Sequence, residues 1–537
     1  MVKVTRDGET RPSFYYEETE QTISMDMQYT ISGVLWDNAC GLCSRCVDLL
    51  VVSRWILSIG IVLCAVCLSG AAYDRCLTLR TLIICATTLL LVMTVREFKV
   101  GKVHIFLIGY LLASIATYYT AINRAEWLYH VLHFSMLIML LSIVRVDKDL
   151  LANIMIALGI VFIGYFWYEY FTVTNPDAMG GGLMRQRNWW ATAHFFVIPF
   201  CIYKRTKLSM FIASMMLLNI IMLGSRAVLL AACVTSLLYV KKRYLIWLII
   251  AGLSAFVVSG LIRGGGSFTL ASLHDRLVIW QPTLLMIKDY PFGVGVGNWV
   301  LKIPLYSPDI DYVQGHLLRL FLHPHNDFLW VWAEAGCIGI ICYLGIFATA
   351  IWQARKKTHL LVGIIGYMVI SFFCETRTRP FQSLMIVLFL AMACELPRRI
   401  KYIDLAMILL VFSMVVFGFR YRASCYTRKI REFKGRQWKE RLPMTVGYSI
   451  FTPLTEMSLP WHWWMAMGSW DSGKKVNAVR QFKTAYKYNP GNVQVINGMG
   501  LASLIDGKQD DAEKYFKKAL EICPDFVEPK KWLRKIR

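Results

Sequence analysis

From residue 53 onward the chain alternates long apolar runs with short polar joints. Each run is about 16 to 25 residues long, the length a helix needs to cross hydrocarbon. The runs lie near 53–73, 80–95, 103–121, 127–145, 150–171, 189–203, 208–223, 226–240, 244–262, 326–352, 359–374, 381–396 and 403–419, and they predict thirteen membrane spans. Residues 1–52 are polar and weakly patterned, too polar for a signal sequence, and are expected to stay cytoplasmic while the first span directs insertion. Beyond 419 the pattern turns polar and helical. Residues 422–460 read as a linker and 461–537 as a small helical domain. Within that domain a shift of 34 superimposes Met465 on Met499, Gly473 on Gly507, Ala478 on Ala512, Phe482 on Phe516, Ala485 on Ala519 and Pro490 on Pro524. This pattern resembles tetratricopeptide repeats, in which small residues let paired helices pack closely. Trp532 is expected to cap the array, and Trp461, Trp463 and Trp464 to seat it on the membrane surface.

Composition narrows the class. With 56% hydrophobic residues over 537 positions and a positive mean hydropathy of +0.48, the chain holds more apolar sequence than a soluble core can bury. The expected fold is an all-α, polytopic membrane helix bundle of 12 or 13 spans with a helical repeat domain at its C-terminus. The fifteen cysteines lie mostly in apolar segments and form no regular disulfide framework. Cys40, Cys43 and Cys46 in CGLCSRC lack a fourth ligand for zinc.

Charge sets the orientation. The joints after even-numbered spans, among them Lys204, Arg205, Lys207 and Arg355, Lys356, Lys357, hold seventeen Lys and Arg, against eight in the short joints of the other side. Basic residues beside a span resist translocation, so the even joints are expected to be cytoplasmic. The transmembrane domain, 53–421, then carries a long outer loop at 263–325, and His325 and the C-terminal domain share the outer face. Nothing in the charge pattern calls for nucleic acid.

The chemistry gathers at LHPHNDFLWVWAEAGCIGIICYLGIF, residues 322–347. His325 is the candidate reactive group, because imidazole ordinarily titrates near neutrality and suits general acid and base work. His323, Asn326 and Asp327 flank it; Glu334 stands two helical turns beyond Asp327, on the same face. Ionisable groups at the mouths of spans are costly and therefore functional candidates. Arg226, in GSRAVLLAA, and Arg276, in the amphipathic part of the outer loop, could clamp phosphate oxygens as a pair, with Arg263 and Lys288 as basic alternatives. Arg185, Arg187, Arg377 and Arg379 share the outer face as secondary candidates for glycan or phosphate contact. Gly293, Gly295 and Gly297 form GVGVG with no strand before them, so the motif reads as a backbone bend and not a dinucleotide site. Two histidines two apart, without HExxH, leave no clear metal site, and no cofactor is expected.

Taken together and in order, MRQRNWWATAHFFVIPF, GSRAVLLA, DRLVIWQPTLLMIKDYPFGVGVGNW and HPHNDFLWVWAEAGCIGI resemble the O-antigen ligase and polymerase superfamily over about residues 180–350. The resemblance implies a membrane glycosyltransferase that moves a glycan from undecaprenyl pyrophosphate to an acceptor on the outer face of the bacterial inner membrane, without metal or nucleotide sugar. It puts Arg226 and Arg276 at the family's pyrophosphate-binding positions, Asn188 at a typical Asn, and His325 at the catalytic histidine. The donor is then a lipid-linked glycan, the acceptor a glycolipid, glycan or protein, and the repeats a surface for a protein partner or a structural cap. Ligase, polymerase and protein oligosaccharyltransferase share these motifs. A flippase would show coupling acids at mid-bilayer and matching halves, and the chain shows neither; a scaffold without catalysis would tolerate loss of His325.

Overall fold

The computed structural model describes residues 49–173, 181–239, 271–306, 322–433 and 437–536, with isolated positions between 244 and 257. Most of the predicted span at 244–262, Arg263, much of the outer loop and the CGLCSRC cysteines lie outside the described residues. Each of the other twelve predicted runs falls on a helix: α1 Leu49–Val66, α2 Leu77–Val95, α3 Lys102–Ala116, α4 Arg124–Ile143, α5 Lys148–Thr172, α6 Arg187–Lys204, α7 Lys207–Leu223 and α8 Arg226–Ser236; then, after α9 Ala271–Asp289 in the outer loop, α10 Asp327–Ala354, α11 Thr358–Ser371, α12 Pro380–Ala393 and α13 Ile403–Glu432. Seven of the described helices, α1 to α5, α10 and α13, are long and apolar enough to cross a membrane. The chain is an all-α, multi-pass membrane protein. The run at 226–240 is helical only to Ser236; about 17 Å of helix does not cover the hydrocarbon alone, and α8 is shielded by packing on α11 and α6.

Sidedness is visible in which joints meet. β1 (Phe98–Val100), after α2, pairs antiparallel with β2 (Arg398–Ile400), after α12, so two of the basic joints lie at one end of the bundle. Arg145 of a third donates to the Glu97 carbonyl at 2.8 Å. The opposite end collects the joint before α2, the start of α6, the loop before α10 and the joint between α11 and α12.

At that end α10 is broken. Gly336 has φ 71° and ψ −171° inside the helix, which releases the Ala333 and Glu334 carbonyls from their helical donors. The GVGVG bend supplies new ones: Val294 N–H donates to Ala333 O at 2.9 Å and Gly295 N–H to Glu334 O at 3.1 Å, while Cys337 N–H donates to Pro291 O at 3.0 Å. A Cβ on Gly293 would come within 2.3 Å of the Glu334 carbonyl. The bend therefore serves a kinked helix whose freed backbone groups need partners away from water.

α13 runs 30 residues without a break, through the expected boundary at 421, and carries the chain into the C-terminal domain. There α14 (Trp461–Asp471) pairs with α15 (Lys475–Tyr488), α16 (Val493–Ile505) with α17 (Gln509–Ile522), and α18 (Val527–Ile536) closes on α17. Ala478, Phe482 and Ala485 and their counterparts Ala512, Phe516 and Ala519 are all fully buried. Gly473 and Gly507, 34 apart, both turn the chain at positive φ. Trp470 meets Trp532 edge to face. The expectation that Trp461, Trp463 and Trp464 face the membrane is corrected: they are 0%, 7% and 5% exposed, with Trp463 and Trp464 packed on each other and on Trp438. Helix pairs this short need large side chains to fill their shared core, and these indoles do so.

Candidate active site

His325 stands in the turn before α10 at φ 54°, a left-handed conformation that non-glycine residues adopt at a cost of about 1–2 kcal/mol. The turn is held from both sides. Asn326, 4% exposed, caps α10 by accepting from Leu329 N–H at 3.0 Å, and the Trp280 indole of α9 donates to Pro324 O at 2.8 Å.

The imidazole is oriented by a residue absent from the sequence expectations. His325 Nδ1 lies 3.0 Å from Glu375 Oε2. The other carboxylate oxygen, Oε1, accepts from the Trp189 indole at 3.0 Å and faces His323 Nε2 at 3.3 Å and Arg379 at 3.5 Å. Burial raises the Glu375 carboxyl, but the net shift is downward, toward the ionised form, under the pull of the neighbouring imidazoles and of Arg379, whose guanidinium stays charged whatever the protonation of the histidines. Burial keeps His323 neutral, pulling it down to about 3 against the opposing pull of Glu375. An ionised carboxylate only accepts, so the Nδ1 that faces Glu375 carries a hydrogen, and in the neutral imidazole the basic atom is then Nε2.

Glu375 is in turn placed by Asp327. This carboxylate is fully buried in the first turn of α10, where the helix dipole favours it. Its Oδ2 accepts from Thr376 N–H at 2.9 Å, Thr376 Oγ1 at 2.7 Å and Arg377 N–H at 2.9 Å. Asp327 thus locks the joint between α11 and α12 so that Glu375 reaches His325. Glu334 does lie on the face of Asp327, and Arg377 binds both: 2.6 Å to Glu334 Oε2 and 4.0 Å to Asp327 Oδ1. Arg377 also donates to the Tyr110 hydroxyl at 2.9 Å and lies over the Trp330 ring at 4.2 Å. Both terminal nitrogens of its fork thus have protein partners. Arg379 lies over Trp189 at 3.5 Å and contacts Asp74 at 3.4 Å.

Arg276 on α9 stacks 5.6 Å over Phe373 and acts electrostatically on Cys374, the neighbour of Glu375. Arg226 opens α8 one turn before Leu230, Arg187 begins α6, and Asn188 stands beside Trp189. Arg185 is exposed at φ 57° just before α6.

Two spaces meet at the turn. A polar cavity of about 420 Å³ is lined by His323, His325, Glu375, Arg379 and residues of α4, α13 and the C-terminal segment. On its other side lies an apolar groove of about 770 Å³ lined by Asn326, Leu230, Trp280, Trp332 and Phe372. Consecutive residues, His325 and Asn326, face one space each. His323, His325 and Glu375 bring ligand atoms within 4.8 Å of one another, as a metal site would. Arg379, however, holds a fixed positive charge 3.4 Å from His323 Nε2, where it competes with any cation.

Glu375 left one trace in the sequence, an acid two residues before Arg377 in FFCETRTRP, between two apolar runs. No curated protein matches the chain. Residues 211–344, which carry α7, α8, α9, the glycine bend, His325 and the kinked half of α10, match the family model described as O-antigen ligase, and over that stretch the chain is similar to ligase-type membrane glycan transferases.

Proposed function

We propose that the protein transfers an oligo- or polysaccharide from undecaprenyl pyrophosphate to an acceptor hydroxyl at the periplasmic face of the bacterial inner membrane, as an O-antigen-ligase-like enzyme. The observation that carries this reading is the position of His325, between an apolar groove able to hold a polyprenyl chain and a polar cavity able to hold a sugar. His325 Nε2 takes the proton of the acceptor hydroxyl, whose oxygen attacks the anomeric carbon. The bond from that carbon to the phosphate oxygen breaks, and undecaprenyl pyrophosphate leaves with the electron pair. Glu375 stabilises the imidazolium that forms. Arg276 and Arg226, each one turn before a groove-lining residue, Trp280 and Leu230, receive the pyrophosphate charge. The tetratricopeptide-like domain, on this reading, faces the periplasm beside the site.

The test is transfer by the purified protein in lipid nanodiscs with a lipid-linked glycan. Arg276→Ala is expected to lower kcat/KM for the donor about 10- to 100-fold, the worth of one charge-assisted contact, and Arg226→Lys to lose activity similarly, because the charge survives while the fork does not. Wild-type turnover in either would remove that arginine from the site. A chelator is expected to leave the rate unchanged, given the guanidinium of Arg379 beside the histidines; inhibition reversed by added metal would restore the metal reading. In the host, loss of the protein is expected to leave finished, unligated lipid-linked polymer. Accumulation of single repeat units would instead point to a polymerase, and unmodified protein with unchanged surface glycan to an oligosaccharyltransferase.

A further inference from the structure

The polar cavity is not closed by the membrane domain alone. Leu454, Thr455, Glu456 and Ser458, which lie just before α14, form part of its wall. They make a tight turn, with Thr455 N–H donating to Leu459 O at 2.9 Å and Ser458 N–H to Thr455 O at 3.0 Å. The turn is anchored in the helical domain by the Asn489 amide, which donates to Ser458 O at 2.7 Å, and on the membrane side by Asp74 N–H, which donates to Glu456 Oε2 at 3.1 Å.

Three observations describe what such a cavity would hold. Its carboxylates (Asp74, Glu126, Glu334, Glu375 and Glu456) outnumber its guanidiniums (Arg379 and Arg420) five to two. The guanidiniums near it are already engaged: Arg420 pairs with Glu126 and lies 4.8 Å over Tyr129, Arg379 covers Trp189, and Arg377 covers Trp330. Among the polar groups left without partners at the wall are two on separate elements. Glu456 Oε1 is buried with no hydrogen-bond partner, and His133, 7% exposed, has none at either ring nitrogen. A phosphate would meet excess negative charge there, whereas sugar hydroxyls can donate to carboxylates and accept from imidazole while ring faces rest on indole and phenol.

Building on the transferase reading above, we propose that this cavity is the acceptor subsite, that it takes an uncharged, hydroxyl-rich sugar residue, and that Glu456 of the C-terminal segment is a specificity-determining residue for it. Burial and the neighbouring Asp74 raise the Glu456 carboxyl to about 7, so it can donate to a sugar oxygen as well as accept from a hydroxyl. The C-terminal domain then does more than cap the bundle: it sets the position of one acceptor-binding wall.

The test uses the full-length protein in nanodiscs, its lipid-linked glycan, and the glycolipid fraction of a deletion strain as acceptor, assayed before and after dephosphorylation with aqueous hydrofluoric acid. The expected result is that the dephosphorylated acceptor is used at least as well as the native one. Glu456→Gln and Glu456→Ala should raise the acceptor KM roughly tenfold or more, as loss of one hydrogen bond to a charged group does, with a far smaller change in kcat and in the donor KM. Thermal unfolding of both variants is followed alongside, and a KM rise in Glu456→Gln with a wild-type unfolding profile counts as specific. The proposal is overturned if dephosphorylation abolishes transfer, if only peptide hydroxyls are glycosylated, or if both variants keep the acceptor KM within about twofold, less than a typical hydrogen bond. A wild-type protein that consumes no donor at all would instead sink the transferase reading, and this inference with it.

Discussion

Glu375→Gln is expected to lower the transfer rate by about 10²- to 10⁴-fold, the range that positioned general acid–base catalysis contributes, while leaving the protein folded and donor binding close to wild type. The substitution is nearly isosteric, so Trp189 and Arg379 keep a neighbour of the same shape. What changes is the proton. An ionised carboxylate 3.0 Å from His325 Nδ1 can only accept, and it fixes the tautomer whose Nε2 lone pair is available. A glutamine amide can donate to Nδ1 instead, which moves the imidazole proton to Nε2 and removes the base, and no negative charge then remains to stabilise the imidazolium. His325→Ala is expected to lose at least as much, and the double variant no more than the worse single one, because the two side chains act as a unit. The measurement is the single-turnover rate at saturating donor and acceptor. A Glu375→Gln rate within about threefold of wild type, half a log unit and well below the contribution of a general base, would reduce Glu375 to a structural partner, and multiplicative losses in the double variant would separate the two residues.

Helices were legible in the chain, and so was the gathering of three basic joints at one end of the bundle, because both depend on local sequence: apolar runs make spans, and Lys and Arg cluster in alternate joints. His325, Asp327 and Glu334 were legible for the same reason, being polar groups written into the start of an apolar helix. Glu375 was not. Its partners, His325, Trp189 and Arg379, come from the turn before α10, the first turn of α6 and its own joint, and its position depends on Asp327 gripping Thr376 and Arg377 from fifty residues away. Glu456 was hidden inside what read as a linker. The kink at Gly336 was hidden in an apolar run, GCIGI, where nothing local marks positive φ. WHWW misled for a different reason: aromatic residues beside a bilayer and aromatic residues filling a small helical core have the same sequence signature, and only the packing tells them apart.

Arg377→Ala is expected to destabilise the protein by about 3–5 kcal/mol, the usual cost of removing one partner of a buried ion pair. Two acids are involved, Glu334 at 1% and Asp327 at 0% side-chain exposure. Asp327 keeps three donors from the Thr376 and Arg377 backbone and the Thr376 hydroxyl, whereas Glu334 keeps a long contact to the Trp299 N–H at 3.4 Å and the neighbouring Trp330 indole. Most of the loss should therefore come from Glu334, stranded beside the kink. A second substitution separates structure from chemistry. In Arg377→Met with Glu334→Leu both members of the pair become apolar, which is often neutral or stabilising, and most of the lost stability should return. Transfer should return with it to within about tenfold of wild type, a smaller deficit than losing a general base, because the contacts that hold Glu375 in place are backbone N–H groups that the methionine retains. The measurements are thermal unfolding in nanodiscs and the transfer rate on the same samples. A stable but inactive double variant would mean that the Arg377 guanidinium itself reaches the substrate, and the pyrophosphate site would then have to be drawn around Arg377 and not around Arg276 and Arg226.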